Sequence, residues 1–302
     1  MGGPDSEREQ RKRGRSTGLW LGLAAALLVG AVFVTLVAFP SLTGSVRDEV
    51  ETPLAPDGEA QLAELGEDEV TRAYFDRLDR TFPSAAQDLR DTLVEALERG
   101  APDGEIGLIV LQSGLDDIYA NLDRLSKADI RYFNQLMDLA EGELAALSQS
   151  GAPYCQGSDL VEYSDLSEQE AYRFVQARVE PGDPLYEFGL EASGILLDAI
   201  RDGRSNPKNR AALSRADMSA IQSLGTQLLF DSDITLLLTT EGKSRREMNA
   251  ALEKVNFCDL GVRLIGRVEN LPEPTRERLI TAGLDRLRYY GIRRLIWMMS
   301  AY

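Results

Sequence analysis

A run of 22 residues without a charged side chain, 18–39, constrains this chain more than any other feature of its sequence. A helix rises about 1.5 Å per residue, so this run would be about 33 Å long, enough to cross a hydrocarbon core about 30 Å thick. It is longer than the apolar part of a cleaved signal peptide, and the residues before Pro40 form a poor cleavage site. The sequence therefore predicts a single transmembrane anchor at 18–39, in contact with the lipid bilayer.

Basic residues are concentrated on one side of this run. Five of them lie within residues 1–17, whereas the segment after the run begins with Arg47 and then carries Asp48, Glu49 and Glu51. Because basic residues next to a membrane span are retained in the cytoplasm, we expect a cytoplasmic tail at 1–17 and a C-terminal domain outside the cytoplasm. If the protein is bacterial, that space is the periplasm.

The remainder of the chain divides into a linker and two helical parts. Residues 40–57 contain three prolines and few apolar side chains, which is typical of a flexible linker. Beyond them, apolar residues recur at spacings of three and four, the pattern of helices that bury one face. A turn at Gly151 separates a helical subdomain at 58–150 from a second one at 151–302. The fold class predicted for the exported part is all-α.

Local patterns predict several of these helices. The apolar spacing predicts, among others, helices over 61–82, 106–125 and 216–230. Ser167 and Glu170 form a capping box, which predicts a helix that begins there. Ile234 to Leu238 is the one candidate strand, but a lone strand has no partner, so we expect this stretch to belong to a helix.

Two turns of the same sequence, Ala-Pro-Asp-Gly-Glu, recur 46 residues apart, at 55–59 and 101–105. This distance suits a repeat of helix hairpins. None of the consensus positions of tetratricopeptide repeats is visible, so unrelated helices with similar turns are the alternative interpretation.

Composition excludes several classes of function. The net charge is −16, and because residues 1–17 carry +2 and residues 271–302 carry +3, the middle of the chain carries −21. A body this acidic repels phosphate backbones, so nucleic acid is not an expected partner. Histidine is absent, which excludes hydrolases with a catalytic histidine and histidine-ligated metal sites. The aspartate pairs lack the spacing of a calcium loop, and we predict no metal or cofactor site.

The chain has two cysteines, Cys155 and Cys258. Outside the cytoplasm they would form a disulfide, whereas in a reducing compartment they would be buried thiols. In the chain-entropy model, a bridge that closes a loop of about 100 residues stabilises the fold by at most about 4–5 kcal/mol. The predicted topology favours the bridge.

One glutamate is a candidate catalytic residue. The stretch from Glu191 to Gly194, Glu-Ala-Ser-Gly, resembles the neighbourhood of the catalytic glutamate in lytic transglycosylases, which are all-helical enzymes of the bacterial envelope. The resemblance implies that Glu191 would protonate a glycosidic oxygen, which requires an apolar pocket that raises its pKa. The glycine- and glutamine-rich segment that follows this glutamate in the family is not evident here.

The C-terminal stretch, 274–302, combines an apolar face with several arginines. It would either dock on the acidic body or lie on a membrane surface. For the whole chain, these features favour a membrane-anchored scaffold or interaction module with an envelope protein as its partner, rather than an enzyme. The alternatives are a carboxylate-dependent enzyme of envelope polysaccharide and a carrier of apolar ligands.

Overall fold

The structure is a computed structural model that describes residues 57–152, 155–163, 167–239 and 244–291. These residues form helices and no strand, which confirms the all-α class for the part of the chain that is described. None of the described helices is both long enough and apolar enough to span a bilayer. The predicted anchor at 18–39, the tail at 1–17 and the linker up to residue 56 lie outside the described residues.

Fifteen helices are described, and we number them in chain order. They are α1 (Gly58–Leu65), α2 (Glu69–Thr81), α3 (Pro83–Glu98), α4 (Asp103–Gln112), α5 (Leu115–Ala120), α6 (Leu122–Leu125), α7 (Ile130–Ser150), α8 (Gly157–Tyr163), α9 (Glu168–Gln176), α10 (Pro184–Ser205), α11 (Arg215–Leu228), α12 (Ser232–Leu238), α13 (Arg245–Leu252), α14 (Phe257–Glu269) and α15 (Glu273–Tyr290). The stretch from Ile234 to Leu238 is helical, as expected.

Two predicted helices are interrupted. The helix expected over 61–82 is split into α1 and α2, because the Asp68 side chain accepts a hydrogen bond from the Thr71 backbone N–H (2.7 Å) and so caps a new helix. The helix expected over 106–125 breaks at Gly114, whose φ of 71° is left-handed and ends the helical path. The capping box of Ser167 and Glu170 is present at the start of α9, as predicted.

The helices group into two compact units that interleave along the chain. We call residues 57–139 with 163–208 the N-terminal unit, and residues 140–162 with 209–291 the C-terminal unit. The sequence predicts two consecutive subdomains with a boundary at residue 150. In the structure, residues 163–208 instead group with the first helices of the chain.

The N-terminal unit is built around α10, which packs against α2, α4, α5 and α6. Because α10 has neighbours on several sides, its buried residues cover a broad face that includes Leu190, Leu197 and Ile200. The repeated Asp-Gly-Glu residues lie at the starts of α1 and α4, but Asp57 caps α1 whereas Asp103 is the first residue of α4, and the two helices differ in length.

The C-terminal unit contains the predicted disulfide. Cys155 and Cys258 are both buried, and their Cα atoms lie 5.0 Å apart, within bonding geometry for a disulfide. An isolated antiparallel bridge joins the neighbouring residues Gln156 and Asn256. Ser148, near the end of α7, accepts a hydrogen bond from the Asn256 side chain (3.1 Å). The pairing of the two cysteines that the sequence predicted is thus found in the structure.

Candidate interaction surface

The C-terminal unit holds an exposed phenylalanine in the turn between α11 and α12. Helix α11 begins with a capping box of Ser214 and Asp217 and buries Ile221, Leu224 and Leu228 on one face. The next two residues, Leu229 and Phe230, form the turn that leads to α12. Helix α11 therefore ends before Phe230, and Phe230 does not belong to the buried face of this helix.

Hydrogen bonds hold this turn from both sides. The Arg267 guanidinium donates to the backbone carbonyl of Gln227 (2.7 Å), and the Thr235 hydroxyl donates to the backbone carbonyl of Leu229 (2.7 Å). The Asp231 side chain accepts from the backbone N–H groups of Asp233 and Ile234 and so caps α12. The backbone around Phe230 is consequently fixed by partners in α12 and α14.

Two arginines of α14 bind the cap residue. Arg263 donates to both carboxylate oxygens of Asp231 (3.0 and 3.3 Å), and Arg267 donates to one of them (3.3 Å). Burial acts to raise the pKa of Asp231, but the hydrogen bonds and positive charge of Arg263 outweigh it, so that the pKa is lowered. The carboxylate is therefore charged and fully engaged in binding the turn.

The side chains of the turn nevertheless point to solvent. Phe230 is 85% exposed and Leu229 is 44% exposed, and we call these two residues the Phe230 surface. Leu238 and Met248 are also exposed, on α12 and α13, two helices that pack against each other. Aromatic residues, phenylalanine among them, are enriched in protein–protein interfaces relative to the rest of the surface.

The candidate catalytic residue does not have the environment that its chemistry requires. Glu191 lies on α10 with its side chain exposed, although its neighbours Ala192 and Gly194 are buried. A glutamate in this position is solvated and lies outside an apolar pocket.

Two aspartate pairs, Asp116 with Asp117 and Asp231 with Asp233, have the residue type of hard oxygen ligands. No group of acidic, cysteine or histidine side chains within the described ranges could hold a metal ion. Asp231 and Asp233 both bind Arg263, as described above for Asp231. Asp116 and Asp117 lie in the first turn of α5, and partial burial, followed by the charge of Asp116, raises the pKa of Asp117.

A second buried polar cluster lies in the N-terminal unit and is structural. The Tyr74 hydroxyl donates to the backbone carbonyl of Ser113 (2.7 Å), and the Tyr186 hydroxyl lies 2.9 Å from the Thr71 hydroxyl. Burial raises the pKa of Tyr74, and it raises the pKa of Tyr186 to about 12. Phenols with such raised pKa values stay protonated, so these hydroxyls are weak acids that serve as hydrogen-bonding groups inside the core.

The chain matches no protein-family model, no curated protein and no solved structure.

The apolar pattern of the sequence does not identify the Phe230 surface. A predicted helix over 216–230 places Phe230 as the last residue of an apolar face, where a phenylalanine is usually buried. The signal that could have revealed its exposure is Asp231, because a cap residue directly after Phe230 starts a new helix and leaves Phe230 in the turn.

Proposed function

We propose that the protein is a single-pass, membrane-anchored envelope protein whose acidic all-α domain binds another envelope protein through the Phe230 surface. The observation that carries the proposal is the 85% exposure of Phe230 on a turn whose backbone is bound on both sides. The charge-free run at 18–39 and the basic residues before it support the anchor and its orientation.

The energetics favour a role in binding. Burying a phenylalanine side chain contributes about 1.5–3 kcal/mol, and aromatic residues are enriched among the residues that dominate binding. Because the turn is already ordered by Asp231, Thr235 and Arg267, a partner would not have to order it on binding. Pre-ordering of this kind strengthens an interaction without additional contacts.

The charge of the domain restricts the partner. With −21 on residues 18–270, this part of the chain attracts basic proteins, repels acidic ones and does not repel neutral ones. The partner we propose therefore presents an apolar pocket for Phe230 within a neutral or basic surface. The enzyme alternative loses its main support, because it required Glu191 in an apolar pocket and that side chain is exposed.

Site-specific photo-crosslinking of the full chain in its native membranes tests the proposal. A photoreactive phenylalanine analogue replaces Phe230, and in a matched control it replaces Tyr119, an aromatic residue of the N-terminal unit that is 38% exposed. We expect one protein adduct of defined mass from position 230 and none of that mass from position 119. Equal labelling at the two positions would contradict a specific surface.

The substitution Phe230→Ser then gives the contribution to affinity. We expect the identified partner to bind the variant about 30-fold more weakly, the equivalent of about 2 kcal/mol of lost apolar burial. The melting temperature should stay unchanged, because the side chain contributes little to the core. Unchanged affinity of the purified partner for the variant would exclude this surface as its binding site.

A further inference from the structure

The disulfide lies at the start of α14. Cys258 is the second residue of this helix, and Cys155 lies just before α8. Next to the bridge, the Gly157 backbone N–H donates to the carbonyl of Val255 (2.9 Å), and a Cβ atom at Gly157 would collide with the carbonyl oxygen of Leu252. The bridge and these close backbone contacts fix the first turn of α14 against the segment that carries Cys155.

Contacts with α7 hold the same end of α14. The Ser148 hydroxyl donates to the Asp259 carboxylate and accepts from the Asn256 side chain. A Cβ atom at Gly261 would lie 2.7 Å from a methyl group of Leu144, so the two helices approach each other closely here. The start of α14 thus has covalent, polar and packing contacts.

The other end of α14 holds the turn that carries Phe230. Arg263 and Arg267 lie further along this helix, and both bind Asp231, the residue after Phe230. At a rise of about 1.5 Å per residue, Cys258 and Arg267 are about 14 Å apart along one uninterrupted helix. Helix α14 therefore connects the disulfide to the Phe230 surface within the C-terminal unit.

The contact between α14 and the turn depends on the accurate position of the helix. Apolar residues that include Ile265 and Val268 bury one face of α14, but the hydrophobic effect is non-directional. An N–H···O hydrogen bond, by contrast, has an optimum of about 2.7–3.2 Å and weakens steeply when it is misaligned. The bonds from Arg263 and Arg267 to Asp231 measure 3.0–3.3 Å, so a shift of α14 by about 1 Å would break them.

We propose that the Cys155–Cys258 bridge positions the Phe230 surface through α14, so that this surface binds its partner tightly only after the two thiols have been oxidised. The inference rests on the proposed function and names the regulation of the same surface. In thiol–disulfide exchange, a disulfide-carrying oxidant takes two electrons and two protons from the two cysteines and is itself reduced to two thiols, while the bond between the Sγ atoms forms. Because both cysteines are buried in the folded unit, the bridge is then shielded from reductants.

Hydrogen–deuterium exchange of the full chain in detergent, measured by mass spectrometry, tests the inference without a partner. The backbone N–H groups of Asp233 and Ile234 donate to the Asp231 side chain (3.1 and 3.4 Å), so a peptide that covers 229–238 reports on the turn. The bridge is removed in Cys155→Ala/Cys258→Ala and, independently, by unfolding the natural chain in urea with dithiothreitol and refolding it with the reductant. We expect exchange of this peptide to become at least about tenfold faster, because the charged hydrogen bonds that hold the turn are weakened.

The start of α11 shows whether the C-terminal unit loosens as a whole. It is bound to α15 rather than to α14, because Arg278 donates to both carboxylate oxygens of Asp217 (2.8 and 2.9 Å). Helix α15 also buries Leu279 and Leu284, so docking, one of the two alternatives that the sequence offered, applies to this helix. We expect exchange at the start of α11 to stay unchanged when the bridge is removed.

Arginine variants test the route through α14. In Arg263→Gln/Arg267→Gln, the link to Asp231 is cut, so exchange of 229–238 is already fast, and removal of the bridge should change it less than about twofold. The matched control, Arg215→Gln/Arg288→Gln, removes the same charge from two exposed positions of the same unit and should retain the full effect of the bridge.

Three results of the exchange experiment would overturn the inference. They are unchanged exchange of 229–238 without the bridge, an equal rise at the start of α11, and an effect of the bridge that is as large in Arg263→Gln/Arg267→Gln as in the natural chain.

Photo-crosslinking from position 230 separates failure of this inference from failure of the proposed function. A specific adduct that forms equally with and without the bridge would overturn the inference and leave the proposed function standing. If no specific adduct forms in the bridged chain but exchange changes as expected, the positioning by α14 is supported and the proposed function alone is wrong.

Discussion

Gly107 is a position at which one missing side chain lets two parts of the N-terminal unit approach each other. A Cβ atom placed at Gly107 on α4 would collide with the backbone carbonyl oxygen of Val179. Backbone cannot move aside as the end of a flexible side chain can, so any larger residue would force α4 away from this segment. The glycine weakens the helix itself, and close packing compensates for that loss.

We expect Gly107→Ala to lower the free energy of unfolding by about 1–3 kcal/mol, because it overpacks this contact. Gly142→Ala on α7 is the matched control, since an added Cβ there meets nothing within 4 Å and the position is exposed. The control should stabilise the protein by roughly 0.5–1 kcal/mol through helix propensity. Urea unfolding of the detergent-solubilised chain measures the two changes in the free energy of unfolding. Equal effects of the two substitutions would contradict close packing of Gly107 against Val179.

At the scale of elements, Asp217 joins the start of α11 to α15. Its carboxylate accepts hydrogen bonds from the Thr275 hydroxyl (2.7 Å), from two guanidinium nitrogens of Arg278, and from the backbone N–H and hydroxyl of Ser214. The hydrogen bonds from Arg278, followed by those from Ser214 and Thr275, hold the pKa of Asp217 well below its usual range. The ionised carboxylate is therefore part of the contact between these two helices.

We expect the melting temperature to depend on pH through this carboxylate. Its pKa is depressed in the folded state, so its stabilisation is complete above the unfolded value of about 3.9 and is lost as pH falls through the folded value. Asp217→Asn should melt well below the wild type at neutral pH, and the difference should narrow progressively below about pH 4. Circular dichroism measures both melting temperatures. If the difference between them stays constant with pH, the charge of Asp217 is not responsible for it.

For the whole molecule, the compartment of the helical domain is the proposal on which the others depend. The basic residues of the tail would set the orientation, and an oxidising compartment would allow Cys155 and Cys258 to bond. The disulfide geometry agrees with export of the domain but does not require it, because two cysteines also lie together in a reduced core.

We expect a periplasmic or extracellular reporter fused after residue 302 to be active and a cytosolic reporter to be inactive. Replacing the basic residues Arg11, Lys12, Arg13 and Arg15 with glutamine should produce a mixed population, because the difference in charge across the anchor is then nearly lost. Replacing an equal number of arginines in the helical domain is the control and should not alter the orientation. If the cytosolic reporter is active when it is fused to the chain with its natural basic residues, the envelope assignment is wrong.

The sequence by itself determined features that depend on neighbours in the chain. Helical periodicity places residues three and four apart on one face, and Phe133, Leu136 and Ala140 of α7 are buried in keeping with this spacing. The capping box at Ser167 follows from two residues within one turn. The all-α class follows from the same local rules applied along the described residues.

Only the tertiary structure decided what depends on residues far apart in the chain. Helix α10 packs against α2, where the hydroxyls of Thr71 and Tyr186 meet although the two residues lie 115 positions apart. The helix breaks at Asp68 and Gly114 are local features that the apolar pattern alone does not reveal. The hydrophobicity of Phe230 predicts burial, and Asp231 after it indicates a turn. The contacts of Arg263 and Arg267 with Asp231, more than thirty residues away in the chain, are what hold this turn in place in the structure.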